Sequence, residues 1–219
     1  AFEEKDLLKE FSLSTGGWLS WFTKDDQYSK PKLSGDLEKL RAFYLNQGYF
    51  EFSIDSTQVS ISSDKQDMFL TVNITEGAKY TVSDVKLAGD LIVTEPEMRN
   101  LLQIKTGDTF TRDKVNGSVS ALSERLGQEG YAFANINVAP QVDRDKQQVA
   151  FTFFVDPGKR SYVRRINIVG NTRTRDEVIR REMRQVEGGW YDSAKIKRSK
   201  ERVDLLGYFT DVNVETPPV

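Results

Sequence analysis

Neither cysteine nor histidine occurs in the 219 residues of this chain. Without cysteine there are no disulfides, thiolate metal sites or thiol nucleophiles, and redox chemistry leaves no mark of the compartment. Without histidine the usual general base near neutral pH, the commonest metal ligand and the Ser-His-Asp arrangement are all excluded. Long apolar runs are missing too: none approaches the roughly 20 residues that span a bilayer as a helix, and nothing at Ala1 looks like a charged and then apolar leader. The positive surplus that nucleic acid demands is also absent, with a formal net charge of -2 and a pI of about 5.5. No Walker glycine loop, dinucleotide fingerprint or metal-ligand cluster appears. Asp and Glu total 33, but no two of them stand in a motif that suggests an acid-plus-nucleophile glycosidase. The sequence therefore reads as a binding protein, not an enzyme, with no cofactor and no metal.

What is present is the composition of an ordered chain, 38% hydrophobic and 11% aromatic, long enough for two or three small domains. Charge is uneven: net -5 over 1–77, -1 over 78–159 and +4 over 160–219, an asymmetry able to steer a charged partner to one end. The strongest signal is self-similarity at a period near 81, the size of a small domain and longer than a solenoid repeat. A Gly-Tyr pair recurs as Gly48-Tyr49, Gly130-Tyr131 and Gly207-Tyr208. A strand closing in glycine recurs as Val82 to Gly89 and Val163 to Gly170. A glycine followed by an aromatic recurs as Gly17-Trp18, Gly107 to Phe110 and Gly189-Trp190.

Each landmark has a physical reason. Glycine just past a helix adopts positive φ without a Cβ clash and redirects the chain. Ser29, Thr111 and Asp192 stand where an N-cap is expected. Leu33, Leu37, Leu40, Tyr44 and Val115, Val119, Leu122, Leu126 lay one apolar stripe along each second helix. After the Gly-Tyr pair the period becomes two, and Ser62 to Lys65 and Asp143 to Lys146 supply hairpin turns. The unit is β-α-α-β-β, an α+β fold with a three-stranded mixed sheet covered on one face by two helices. The expected divisions are 1–77, 78–158 and 159–219. The first unit opens at a helix near Phe2 and the third stops one strand after Tyr208, so the first strand of one and the last strand of the other are missing. Trp18, Trp21 and Phe22, in a stretch longer than its counterpart, form a possible contact patch.

The unit resembles a POTRA domain, and the series resembles the third, fourth and fifth periplasmic POTRA domains of outer-membrane barrel assembly factors. The resemblance covers essentially the whole chain. It is carried by Leu33 to Glu38 with Asn46 to Tyr49, Ile54 to Val59, Val72 to Gly77 and Arg180 to Gly188. It implies a Gram-negative periplasmic location, tethered to the outer membrane by a C-terminal membrane β-barrel beyond Val219. It implies accessory lipoproteins and unfolded outer-membrane protein clients as partners. Asp55, Val59 and Ile61 match a lipoprotein contact on the second strand of the first unit, and Arg180 and Glu187 match positions implicated in contact with the other main lipoprotein. Read without the resemblance, the strand is an amphipathic edge blunted by Glu51 and Asp55, and the arginines around Arg180 are a solvated helix face. The physics of an open sheet edge, whose free N–H and C=O groups accept any strand, suits a receptor of many clients. The competing reading is a POTRA array of a related secretion protein, acting as a dedicated receptor or spacer. A KH-type RNA clamp shares the element order, but the inter-helix loops lack its GXXG spacing and basic cradle.

Overall fold

The computed structural model describes residues 2, 7–8, 30–61 and 68–218. Among them, α1 (Lys30–Asn46) leads to the strands β1 (Ser53–Ile61) and β2 (Met68–Thr75). Next come β3 (Thr81–Gly89), the short α2 (Glu95–Asn100), α3 (Arg112–Gln128), β4 (Asn135–Asp143) and β5 (Gln148–Asp156). Two further helices, α4 (Asp176–Arg180) and α5 (Ser193–Asp204), follow. No helix among the described residues is long and apolar enough to cross a membrane.

β1 and β2 form an antiparallel pair, and β3, β4 and β5 form a sheet in the order β3-β5-β4. The central place of β5 is written in its side chains: Val149, Phe151, Phe153 and Val155 are all buried, the alternation of a strand whose inward face is fully covered. The α+β reading of the repeat is realised complete over these five elements. Behind β1 and β2 lies a core of Leu40, Tyr44, Tyr49 and Phe52, with Phe2, Ile54, Val72 and Ile74 packed on it. Tyr44 stacks on Phe52 with ring centroids 4.2 Å apart, and its hydroxyl donates to Glu76 at 2.8 Å. Burial first, and that carboxylate second, push the Tyr44 phenol well above its ordinary range.

The helix ends explain the repeating glycine. Gly48 and Gly130 both have φ of +99°, and the tyrosine after each donates its N–H five residues back, to the carbonyls of Tyr44 and Leu126, at 3.1 Å. That is the Schellman closure, which needs a left-handed residue. A Cβ on Gly48 would also lie 2.7 Å from the Thr109 methyl.

Three expectations need correction or completion. Val163 to Gly170 forms no ladder, because β3 is paired with β5 and no described strand stands in that place beside 163–170; Tyr162 bridges Trp190, and Val163 donates to the Gly189 carbonyl at 2.9 Å and accepts the Gly188 N–H at 2.7 Å. Asp192 caps α5 by accepting the Lys195 N–H, but Thr111 turns its hydroxyl to the Thr109 carbonyl at 3.3 Å. The early N–H of Asp113 is taken instead by Asn46 at 3.0 Å. Ser29 lies outside the described residues.

The chain parts into two compact units: Ala1–Val85 with Ile104–Val115 and Pro140–Phe151, and Lys86–Gln103 with Asn116–Ala139 and Thr152–Val219. The first holds the α1, β1 and β2 core. The second holds α2, most of α3, and α4 and α5.

Candidate functional site

Two surfaces carry the residues that the sequence singles out. The first is β1. From Ser56 to Ile61 it runs in unbroken register with β2, Ser56 opposite Asn73 and Ile61 opposite Met68, while a bulge interrupts the pairing between Ile54 and Ser56. Among the described residues no strand pairs with its other side, the side on which an edge strand presents its backbone donors and acceptors. Asp55 sits in the bulge, exposed but held along the ladder: its carboxylate accepts the Thr75 hydroxyl at 2.7 Å and the Ser53 hydroxyl at 2.9 Å. Those two bonds, Thr75 first, hold it below the usual carboxylate range. Asp55 therefore fixes the bulge. Val59 is 40% exposed on the regular part of the strand. The backbone of Ile61 closes the register with Met68, and its side chain lies outside the described residues, as do Trp18, Trp21 and Phe22.

The second surface joins Arg180, at the end of α4, to Glu187. Arg180 donates to Asp176 at 2.8 Å one helical turn back, to Glu187 at 3.2 Å and to the Ile166 carbonyl at 3.3 Å. Glu187 accepts the Ile166 N–H at 2.8 Å. This bond first, and the Arg180 charge after it, lower the Glu187 carboxyl below its ordinary value. The pair thus clasps both backbone groups of one residue, beside an open depression of about 240 Å³ lined by Ile166, Arg180, Met183, Gln185, Val186 and Glu187. Reading Arg180 and Glu187 as a plain solvated face misses the clasp, because the partner is backbone 21 residues upstream.

Other residues escaped the sequence reading. Ser118 and Ser199 are buried and accept the N–H of Gln103 at 2.8 Å and of Arg184 at 2.7 Å, tying each second helix to the end of the first. Asp36, also buried and bonded to Lys39 at 3.2 Å, holds the matching place in α1. A short polar residue interrupting the apolar stripe at 36, 118 and 199 was the available signal. Gln185 is buried, donates to the Trp190 carbonyl at 2.9 Å and accepts the Asp192 N–H at 3.0 Å. Its place in the repeat was the available signal, since Gln103 stands 82 residues before it.

Comparison with known proteins gives three concordant findings. The POTRA family model, described as surface antigen variable number repeat, matches residues 1–77, 80–158 and 161–219. The "Outer membrane protein assembly factor BamA" of Neisseria meningitidis serogroup B is 36% identical over 219 residues, 100% of this chain and 28% of that protein. The protein of the same name from Buchnera aphidicola is 32% identical over 215 residues, 98% of this chain and 35% of that protein. The crystal structure of Haemophilus influenzae BamA POTRA3-5 superposes with a TM-score of 0.85 at 29% identity, covering 100% of this chain and 86% of that one. The chain thus spans 28% and 35% of the length of these two full-length relatives.

Proposed function

This chain belongs to the POTRA family, and from that premise we propose that it is a periplasmic scaffold for assembly of outer-membrane β-barrel proteins, one that binds without catalysing. Its repeats, divided at 1–77, 78–158 and 159–219, correspond in this reading to the third, fourth and fifth of an assembly factor's series. A membrane barrel tethers them to the outer membrane. Unfolded barrel proteins are received as added strands, and accessory lipoproteins dock around β1 and around the clasp of Arg180 and Glu187.

The observation that carries the reading is the open edge of β1, six residues in regular register on one side and unpaired on the other among the described residues. Main-chain pairing there is blind to client sequence, which a receptor for many barrel proteins requires. Hydrogen exchange tests it: a urea-unfolded barrel protein diluted into the chain should slow exchange at Ser56–Ile61, and unchanged exchange there would sink the proposal.

The clasp needs a subtler probe, since Glu187→Lys removes a backbone acceptor as well as a charge. Glu187→Gln keeps an oxygen for the Ile166 N–H and loses only the charge. Lipoprotein capture lost in a natively folded Glu187→Gln assigns the charge to the partner. Capture kept in Glu187→Gln and lost in Glu187→Lys assigns Glu187 to holding Ile166 in place.

A further inference from the structure

The sheet β3-β5-β4 has two outer strands, and both of them are guarded. Along β3, Val82 donates to the Asp108 carbonyl at 2.8 Å, Gly107 donates to the Val82 carbonyl at 2.8 Å, and Thr81 is bridged to Thr109. The loop before α3 therefore fills the start of that edge. On the opposite side, β4 carries Pro140 inside its Asn135–Asp143 span. Proline has no N–H, and its ring occupies the space where one would point, so within a strand it is tolerated where its nitrogen faces away from the neighbouring strand. Among the described residues the one strand beside β4 is β5, and a proline set within an edge ladder is tolerated with its nitrogen toward the open side. A strand arriving there meets methylenes where it needs a donor, in the middle of the ladder it would build.

β1 has the opposite character. All nine of its residues carry an N–H, and Ser56–Ile61 contains no charged side chain. The bulge at Asp55 twists only the start of the strand away from a newcomer. We propose that Pro140 closes the β4 edge to strand addition. Of β1 and β4, β1 is then the edge that takes an extended, uncharged strand of alternating apolar and small polar side chains, the pattern of barrel strands. This rests on the strand-addition reading above and adds to it a division of labour: one repeat receives, and the next is built to stay clean.

The test titrates the isotopically labelled chain, as wild type and as Pro140→Thr, with a peptide of roughly ten residues alternating valine and threonine between lysine ends. In the wild type, amide shifts and slowed exchange should be confined to β1. In Pro140→Thr they should extend to β4, with affinity at that edge raised roughly tenfold by the restored donor. Equal protection of both edges in the wild type overturns the proposal, as does a Pro140→Thr protein that binds at β1 alone. Protection at β4 in Pro140→Thr with none at β1 in either protein would retain the role of Pro140 and reject β1 as the receptor. Silence at both edges in both proteins would reject both.

Discussion

The chain makes the same joint twice with different side chains. At the first, the Gly48 carbonyl accepts the Tyr80 N–H at 2.9 Å; at the second, the Gly130 carbonyl accepts the Ser161 N–H at 2.8 Å. Around that shared bond the two part company. The first joint surrounds Phe50 with Phe110 at 4.9 Å, Tyr80 at 5.8 Å and Phe151 at 6.3 Å. Glu51 accepts both the Tyr80 hydroxyl and the Arg144 guanidinium at 2.8 Å, and Asn46 pairs twice with Asp113. At the second joint Ala132 stands where Phe50 stood, Ser161 where Tyr80 stood, and Phe133, 53% exposed, where Glu51 stood. Its hydrogen bonds run from side chain to backbone, Arg160 to the Glu129 carbonyl at 2.8 Å and Ser193 to the Glu124 carbonyl at 2.9 Å, beside one long ion pair of Lys197 with Glu124 at 3.9 Å. The same backbone bond is thus covered by aromatic rings at one joint and by side-chain-to-backbone bonds at the other, a difference in packing that should make the first the stiffer of the two.

The largest way to break that contrast is Phe50→Ala. It empties the centre of the aromatic cluster and should cost about 2 kcal/mol, less than a fully buried phenylalanine because Phe50 is half-buried. Urea unfolding would show the loss. Hydrogen exchange at Tyr80 should rise toward that of Ser161; equal rates in the wild-type chain would show that the aromatic cluster stiffens nothing.

A smaller and reversible perturbation is acid. The Tyr80 hydroxyl first, and Arg144 second, hold the Glu51 carboxyl below its ordinary value. A carboxyl depressed in the folded state contributes stability that is complete above the unfolded value, about pH 4, and disappears as pH falls through the lower folded value. Acidification through that window should loosen the first joint and leave the second unmoved. The Tyr80 ring resonances report it, and in Glu51→Gln the step should vanish. Because the Arg144 side chain is 80% exposed, salt should weaken its pairing with Glu51.

Where sequence succeeded in this molecule, the cause was local. Positive φ at Gly48 and Gly130 can be met by few residues other than glycine, so the joint is visible as a spaced Gly-Tyr pair. Leu40, Tyr44, Leu122 and Leu126 are buried as their helical spacing requires. Where it fell short, the partner was distant. Glu187 reads as a surface charge until the fold brings the Ile166 N–H to it. Asp55 reads as an exposed guard of the edge, yet its carboxylate is engaged by Thr75 across the ladder. The ladder expected at Val163 to Gly170 depends on a neighbouring strand, and alternation alone cannot supply one. Thr111 has the chemistry of a cap, but the better placed oxygen belongs to Asn46, 67 residues before Asp113.

The smallest effect sharpens the comparison from the compliant side. Arg160 donates through Nε to the Glu129 carbonyl while its guanidinium lies 4.6 Å from the centre of the Trp190 ring. Lysine can keep a charge near the ring or reach the carbonyl, but it lacks the planar fork that does both together. Trp190 is 55% exposed, so water already screens the contact, and Arg160→Lys should cost under about 1 kcal/mol. A double-mutant cycle with Trp190→Ala, read by urea unfolding, isolates the pair from its surroundings. A coupling as large as the loss in Phe50→Ala would mean that one exposed arginine stiffens the second joint as much as an aromatic core does the first, and the distinction between the joints would fall.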